Sequence, residues 1–168
     1  MNKKVNKIKG MSLIEILIVI AIFAIIGILT TRSVALTIKS AKKSDTAIKV
    51  RENINYALSI VERQIRNAES INCSTSTPTL LTYTSLEGVN TYFSCVSQTG
   101  GYYLASGSAT VRLTSSDVLL TSCQFSCSQT ETNLAPVVSV SINAKDANIT
   151  GVEGSSVSVE TEITARNY

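Results

Sequence analysis

Residues 16–29 read ILIVIAIFAIIGIL, a run of fourteen residues without a polar side chain. Weakly polar residues extend this apolar segment to residues 11–31, and Glu15 is its only charge. A helix of this length measures about 31 Å, close to the thickness of one bilayer core. The segment therefore predicts a membrane-spanning helix.

A second apolar pattern follows along the chain. Apolar residues recur at spacings of three and four, which places them on one face of a helix. These residues are Val50, Ile54, Ala57, Leu58, Val61, Ile65 and Ala68. No proline precedes Pro78, so we expect one nearly continuous helix from about Ser12 to Ala68, whose second half is covered by a sheet.

The composition changes after Asn72 to Ser, Thr, Val, Gly and Tyr. Short β-branched or alternating runs are separated by Gly- and Ser-rich turns, which is typical of antiparallel strands. The predicted strands are residues 80–86, 91–96, 102–105, 109–114, 118–122, 137–143 and 156–164. Together with the helix they predict an α+β fold, in which one long N-terminal α-helix packs on a C-terminal antiparallel β-sheet.

The composition also limits the chemistry of the chain. It contains no His, which removes imidazole bases and Ser-His-Asp relays, and we expect neither an enzyme nor a catalytic residue. The formal charge of +3 depends on four Lys in residues 1–10, without which 11 basic and 12 acidic residues remain. A nearly neutral chain with only nine aromatic residues argues against nucleic acid as a partner.

Acidic residues form two weak candidate sites. Glu160 and Glu162 share one face of a predicted strand, and paired carboxylates can perform acid–base chemistry, but the solvent side of a strand explains them better. Asp146, Asn148 and Glu153 offer oxygen ligands of the kind that calcium takes, but their spacing matches no compact calcium loop. We therefore expect neither a metal nor a cofactor.

Four cysteines, Cys73, Cys95, Cys123 and Cys127, all follow the apolar segment. If that segment crosses a membrane, they face an oxidising compartment, where two disulfides are expected. Of the three connectivities that four cysteines allow, we favour Cys73–Cys95 with Cys123–Cys127, the second closing a local loop. A tetrahedral zinc site is the alternative, but the single C-x3-C spacing lacks the usual pair of C-x2-C knuckles.

The residues that lead into the apolar segment are Lys9, Gly10, Met11, Ser12, Leu13, Ile14 and Glu15. This stretch resembles the prepilin signal of type IV pilins and type II secretion pseudopilins. The resemblance implies that a membrane aspartyl protease, the prepilin peptidase, cuts after Gly10 on the cytoplasmic side and methylates Met11, a position where the family more often has Phe. Glu15 then occupies the fifth mature position, where the family's glutamate is thought to pair with the terminal amine of a neighbouring subunit.

A conventional secretory signal is the alternative to this signal. It requires a small-residue cleavage site on the far side of the apolar core. Thr30, Thr31, Arg32 and Ser33 follow the core instead, and the helical pattern continues through them. The sequence therefore favours an anchor that is kept.

The resemblance implies four parts: a prepilin leader at 1–10, a transmembrane and filament-core helix at 11–32, an amphipathic continuation of the helix at 33–71, and a sheet head domain at 72–168. It implies a structural subunit that crosses the cytoplasmic membrane once and later joins an extracellular or periplasmic filament, either a type IV pilus or a type II secretion pseudopilus. The implied partners are the prepilin peptidase, other pilin or pseudopilin subunits, and an inner-membrane assembly platform.

The end of the chain bears on the kind of subunit. Residues 164–168, TARNY, after a Val- and Thr-rich strand, look like the J-type and W-type minor subunits. Residues 128–168 also lack the cysteine with which major pilins often close a C-terminal loop. We favour a minor subunit over two alternatives, a DNA-uptake or adhesive pilin and a membrane-anchored β-domain that forms no filament.

Overall fold

The computed structural model describes residues 12–107, 111–130, 134–149 and 154–166. The chain forms two compact units, Met1–Ala41 and Lys42–Tyr168. Helix α1 begins in the first unit, and the second unit contains the rest of the helix and all of the described strands. The predicted α+β fold is confirmed.

Helix α1 runs without interruption from Leu13 to Arg66, a length of 54 residues. At its start the Ser12 carbonyl accepts hydrogen bonds from the N–H groups of Glu15 at 3.0 Å and Ile16 at 3.3 Å. An acidic residue, Glu15, lies in the first turn and two basic residues, Arg63 and Arg66, lie in the last. This arrangement of charge complements the helix macrodipole. The predicted long helix is confirmed.

The strands form one antiparallel sheet in the order β1-β2-β3-β4-β6-β7-β8, and the short β5 pairs with β4. The strands are β1 Ser70–Ile71, β2 Leu80–Thr84, β3 Asn90–Gln98, β4 Gly101–Ser106, β5 Val111–Arg112, β6 Val118–Ser128, β7 Val137–Asp146 and β8 Ser156–Thr164. Most consecutive strands are neighbours, which short turns make possible. Gly100, with φ of 87°, adopts the left-handed conformation that the β3–β4 turn requires.

Strand β6 is longer than the sequence predicted, because it continues to Ser128 instead of ending at residue 122. Its residues alternate beyond that point: Cys123 and Phe125 are buried, whereas Gln124 and Ser126 are exposed. The pairing with β7 shifts register between Leu120 and Ser122, as a β-bulge does. The cysteine-containing stretch after residue 122 is therefore a strand and not a loop.

The core lies between the second half of α1 and one face of the sheet. The predicted helix stripe is fully confirmed, with Ile54, Val61 and Ile65 each at 0% exposure. The sheet residues that cover it are also at 0% exposure: Leu81, Phe93, Leu104, Leu120, Val138, Val140, Ile142 and Ile163. Burying each large apolar side chain contributes about 1.5–3 kcal/mol, so this stripe is what holds the sheet on the helix.

Polar contacts fix the position of the helix under the sheet. The Tyr83 hydroxyl on β2 donates to Gln64 Oε1 at 2.5 Å, and the Ser115 N–H donates to Asn53 Oδ1 at 3.0 Å. The N–H of Arg166, just after β8, donates to the last carbonyl of the helix at 3.2 Å. Hydrogen bonds are directional, so these three contacts define a register that apolar packing alone would leave loose.

We expect Ile54→Ala to lower the free energy of unfolding by about 2–5 kcal/mol, because it leaves a cavity at the centre of the core. Tyr56→Ala is the matched control on the same helix, since Tyr56 is 65% exposed, and its effect should stay within about 0.5 kcal/mol. Urea unfolding of the full chain in neutral detergent, followed by the β-sheet signal in circular dichroism, measures both. Equal losses in the two variants would contradict the assigned core.

Candidate functional site

Helix α1 presents an exposed apolar surface in the described part of the first unit. All described residues from 12 to 41 are exposed, including Leu13 at 77%, Phe23 at 71% and Leu29 at 63%. No residue is buried in the most apolar stretch of 18 residues in α1. By length and composition this helix can cross a membrane. Contiguous apolar surface of this kind marks a lipid-facing or partner-facing site.

The few hydroxyls near this surface are satisfied within the helix. Thr30 Oγ1 donates to the Ile26 and Gly27 carbonyls, both at 3.0 Å, and Thr31 Oγ1 donates to the Gly27 carbonyl at 2.8 Å. Unpaired polar groups are costly in an apolar medium. These hydroxyls therefore do not prevent the helix from entering lipid or a bundle of helices.

Glu15 is the charged residue in the most apolar part of this surface, residues 12–31. It is the third residue of α1, three positions after Ser12, which is the spacing of a capping box, and its neighbours Ile14 and Ile16 are exposed apolar residues. Among the described residues, no ion pair involves Glu15. A carboxylate in such surroundings gains most from a positive group on another molecule. Its assembly role stays a prediction, and Gly10 and Met11 lie outside the described residues.

Residues 5–31 match the family model described as the prokaryotic N-terminal methylation motif. The chain carries the type IV pilin and pseudopilin signal. The matched segment contains Gly10, Met11 and Glu15 and runs into the apolar part of α1. Searches of curated proteins and of solved structures find no significant match to the chain.

The pilin signal and the exposed helix agree with each other. The signal points to a structural protein and not to an enzyme. It also fits a single-pass, membrane-anchored precursor, because residues 13–31 of the matched segment belong to a helix that is apolar and long enough to span a bilayer. The same motif supports association with a membrane and processing by a prepilin peptidase.

The four cysteines form two disulfides in the sheet unit, as expected, but the favoured connectivity is wrong. Cys73 pairs with Cys127 and Cys95 pairs with Cys123, with Cα–Cα distances of 5.2 Å and 5.8 Å. Cys123 and Cys127 both lie on β6, and four residues of extended strand separate their Cα atoms by about 13 Å. This exceeds the range that a disulfide can bridge, and the zinc alternative gains no support because every cysteine is paired.

The Cys73–Cys127 disulfide links the β1–β2 connection to β6. The Cys95–Cys123 disulfide links β3 to β6. Backbone hydrogen bonds reinforce this junction: the Phe125 N–H donates to the Pro78 carbonyl and the Cys95 N–H donates to the Thr79 carbonyl, both at 2.8 Å. Cys95 and Cys123 belong to the core at 7% and 4% exposure, whereas Cys73 and Cys127 are half-buried. One disulfide is therefore a core element, and the other is accessible from solvent.

The acidic candidates have structural roles in the described residues. Asp146 Oδ1 accepts hydrogen bonds from the N–H groups of Asn148 at 2.7 Å and Ile149 at 2.8 Å. These hydrogen bonds hold the Asp146 carboxylate within a turn. Glu153 lies outside the described residues, and no group of three or more His, Cys, Asp or Glu among the described residues could hold a metal. Glu160 and Glu162 are exposed on the outer face of β8, as the alternation predicted.

A cavity of about 480 Å³ opens between α1 and the β2–β3 hairpin. Tyr83 lies in its wall, and burial raises the pKa of this phenol above its ordinary value, so the hydroxyl is protonated at neutral pH. Arg63 and Glu87 also line the cavity, but its described lining contains no His or Cys that could act as an activated nucleophile or base. The cavity gives no support to an enzymatic function.

We expect a mild thiol reductant to open Cys73–Cys127 before Cys95–Cys123 in the folded chain, because access of the attacking thiolate controls the rate. Alkylation followed by peptide mass mapping identifies which sulfurs become free. The double variant C73A/C127A should remain folded and lose about 2–5 kcal/mol of stability. Simultaneous opening of both disulfides without denaturant would contradict the difference in burial.

Proposed function

We propose that the chain is a structural minor pilin or pseudopilin subunit that is processed by the prepilin peptidase and assembled into a type IV pilus or a type II secretion pseudopilus. In this proposal residues 1–10 form the leader, 11–32 the membrane and filament-core helix, 33–71 its amphipathic continuation and 72–168 the head domain. The observation that carries it is the methylation motif at residues 5–31, which leads directly into the exposed apolar half of α1.

The physical basis of assembly is the exposed surface of α1. Residues such as Leu17, Phe23 and Ile28 are more than half exposed, and water disfavours such a surface in proportion to its apolar area. Lipid covers it in the precursor. In a filament the same surface packs against the equivalent helices of other subunits, so the helix can leave the bilayer without exposing its apolar residues to water.

Glu15 supports the same proposal through its charge. A carboxylate on a lipid-facing helix costs a few kcal/mol unless it is paired or protonated. Cleavage between Gly10 and Met11 creates a new amino group one helical turn before Glu15. In a bundle of staggered subunits, the Glu15 carboxylate of one subunit and the amino group of the next neutralise each other and define the axial step.

A minor role is favoured by the location of the cysteines. Both disulfides connect residues between Cys73 and Cys127, and residues 128–168 contain no cysteine. The C-terminal part of the head is therefore built differently from the disulfide-closed loop of many major pilins. A subunit that primes or caps a filament needs fewer identical lateral contacts than a subunit repeated along its length.

Intact-mass spectrometry of the chain, purified from cells with and without an active prepilin peptidase, tests the processing step. We expect the mass of residues 1–10 to be lost and one methyl group to be gained on Met11, only when the peptidase is active. The unprocessed chain from peptidase-deficient cells is the control. An intact leader in both strains, or cleavage after the apolar segment, would sink the proposal.

We expect Glu15→Val to leave leader removal largely intact and to reduce incorporation into filaments by about tenfold, because it removes a charge pair formed between subunits. The matched control is Glu52→Val, which changes an exposed acid farther along the same helix. Quantitative immunoblotting of sheared filaments against the membrane fraction gives the incorporated share. Wild-type incorporation of the Glu15→Val variant would refute the assembly role.

A further inference from the structure

Strand β8 is the long free edge of the sheet. It pairs with β7 through nine consecutive residues without a register shift, and it ends the strand order among the described strands. The opposite edge is the two-residue β1. A sheet edge carries unpaired N–H and C=O groups that can accept another strand. Strand β8 contains no Pro, Lys or bulge, so the charged Glu160 and Glu162 are the feature that restricts which strand can be added to it.

The described residues of the chain do not fill the space beside β8. A gap of about 300 Å³ lies between α1 and the middle of β8. Leu58, Val159 and Thr161 line it, together with the polar residues Asn55, Ser59, Glu62 and Glu160. Val157 and Ile163, at the two ends of the same inward face, are 6% and 0% exposed, whereas Val159 and Thr161 between them are half-buried. An added strand would place an apolar side chain in this gap, because alternate residues of a strand point to the same face.

The outer face of β8 defines the charge of such a partner. Glu160 and Glu162 are exposed, and their cross-strand neighbours on β7 are Ser141 and Ser139, which carry no positive charge. Opposite charges across neighbouring strands stabilise the pairing, and like charges oppose it. The described positive groups that flank this face lie near the strand ends, at Lys145 opposite Ser156 and at Arg166 beyond Thr164.

The same charges argue against a second copy of this chain as the occupant. In an antiparallel β8–β8 pair centred on Thr161, Glu160 of each copy would lie opposite Glu162 of the other. Two such pairs of like charge, without a basic residue between them, disfavour this pairing. In this register the charges favour an occupant that differs from β8 itself.

We propose that β8 is a strand-addition site for an extended segment of another protein in which basic and apolar residues alternate. The backbone of this segment pairs with β8, its basic residues face Glu160 and Glu162, and its central apolar residue fills the gap beside Leu58. Main-chain pairing supplies affinity and the alternating side chains supply specificity, as in other strand-addition complexes. The site belongs to the sheet unit, and the proposal holds whether or not the chain enters a filament.

A short fluorescein-labelled peptide in which Lys and Val alternate tests this site on the full chain in uncharged detergent micelles. Fluorescence anisotropy measures its affinity, and hydrogen exchange reports whether residues 156–164 become protected. We expect binding with protection of these residues, and no binding of the peptide in which Glu replaces Lys. Absence of Lys/Val peptide binding, or binding without protection of β8, would overturn the proposal.

Two variants separate strand addition from general charge attraction. E160Q/E162Q should lower the affinity for the Lys/Val peptide by about fivefold at low salt. The matched control E52Q/E87Q neutralises two exposed acids elsewhere on the unit and should change this affinity by less than about twofold. T161W should abolish binding by filling the gap, with its folding checked by circular dichroism. Equal losses in the two charge variants would show adsorption to acidic surface and would reject the site.

Discussion

The structure depends on one constraint, which is that helix α1 has more apolar surface than its own chain can cover. Its second half gives Ile54, Val61 and Ile65 to the core, while every described residue from 12 to 41 is exposed. The sheet of the same chain covers the apolar face of this second half. The apolar surface of residues 12–41 needs cover from outside, such as lipid or the apolar surface of another molecule. The methylation motif at residues 5–31 is consistent with this need.

The helix and most of the sheet could be predicted because their signals are local. The stripe from Val50 to Ile65 repeats at the helical period, and all of its members are buried. The alternation in residues 156–164 likewise identified β8 and placed Glu160 and Glu162 outside. In both cases one chain segment contains the whole pattern, so no knowledge of its neighbours was needed. The signal around Gly10 and Glu15 is local in the same sense.

The disulfide connectivity could not be predicted, because it depends on which strands lie side by side. Cys95 and Cys123 meet only after β3 and β6 are positioned, and the close sequence spacing of Cys123 and Cys127 suggested a loop. The alternation of Phe125 with Gln124 and Ser126 was the available indication that β6 continues. The gap beside Val159 was also not foreseen, since it depends on how far the helix lies from the sheet edge.

The nested disulfides also determine how the molecule responds to mechanical tension. Cys73 follows α1 closely and is joined covalently to Cys127, 54 residues later, so a pull between α1 and β8 bypasses the chain between them. About 190 Å of chain between the two cysteines therefore cannot be extended while the disulfide is intact. Strands β7 and β8 lie outside the bridged segment and are held by hydrogen bonds and packing alone. Under load, extension is therefore confined to the chain outside the bridge, while the segment between Cys73 and Cys127 stays closed.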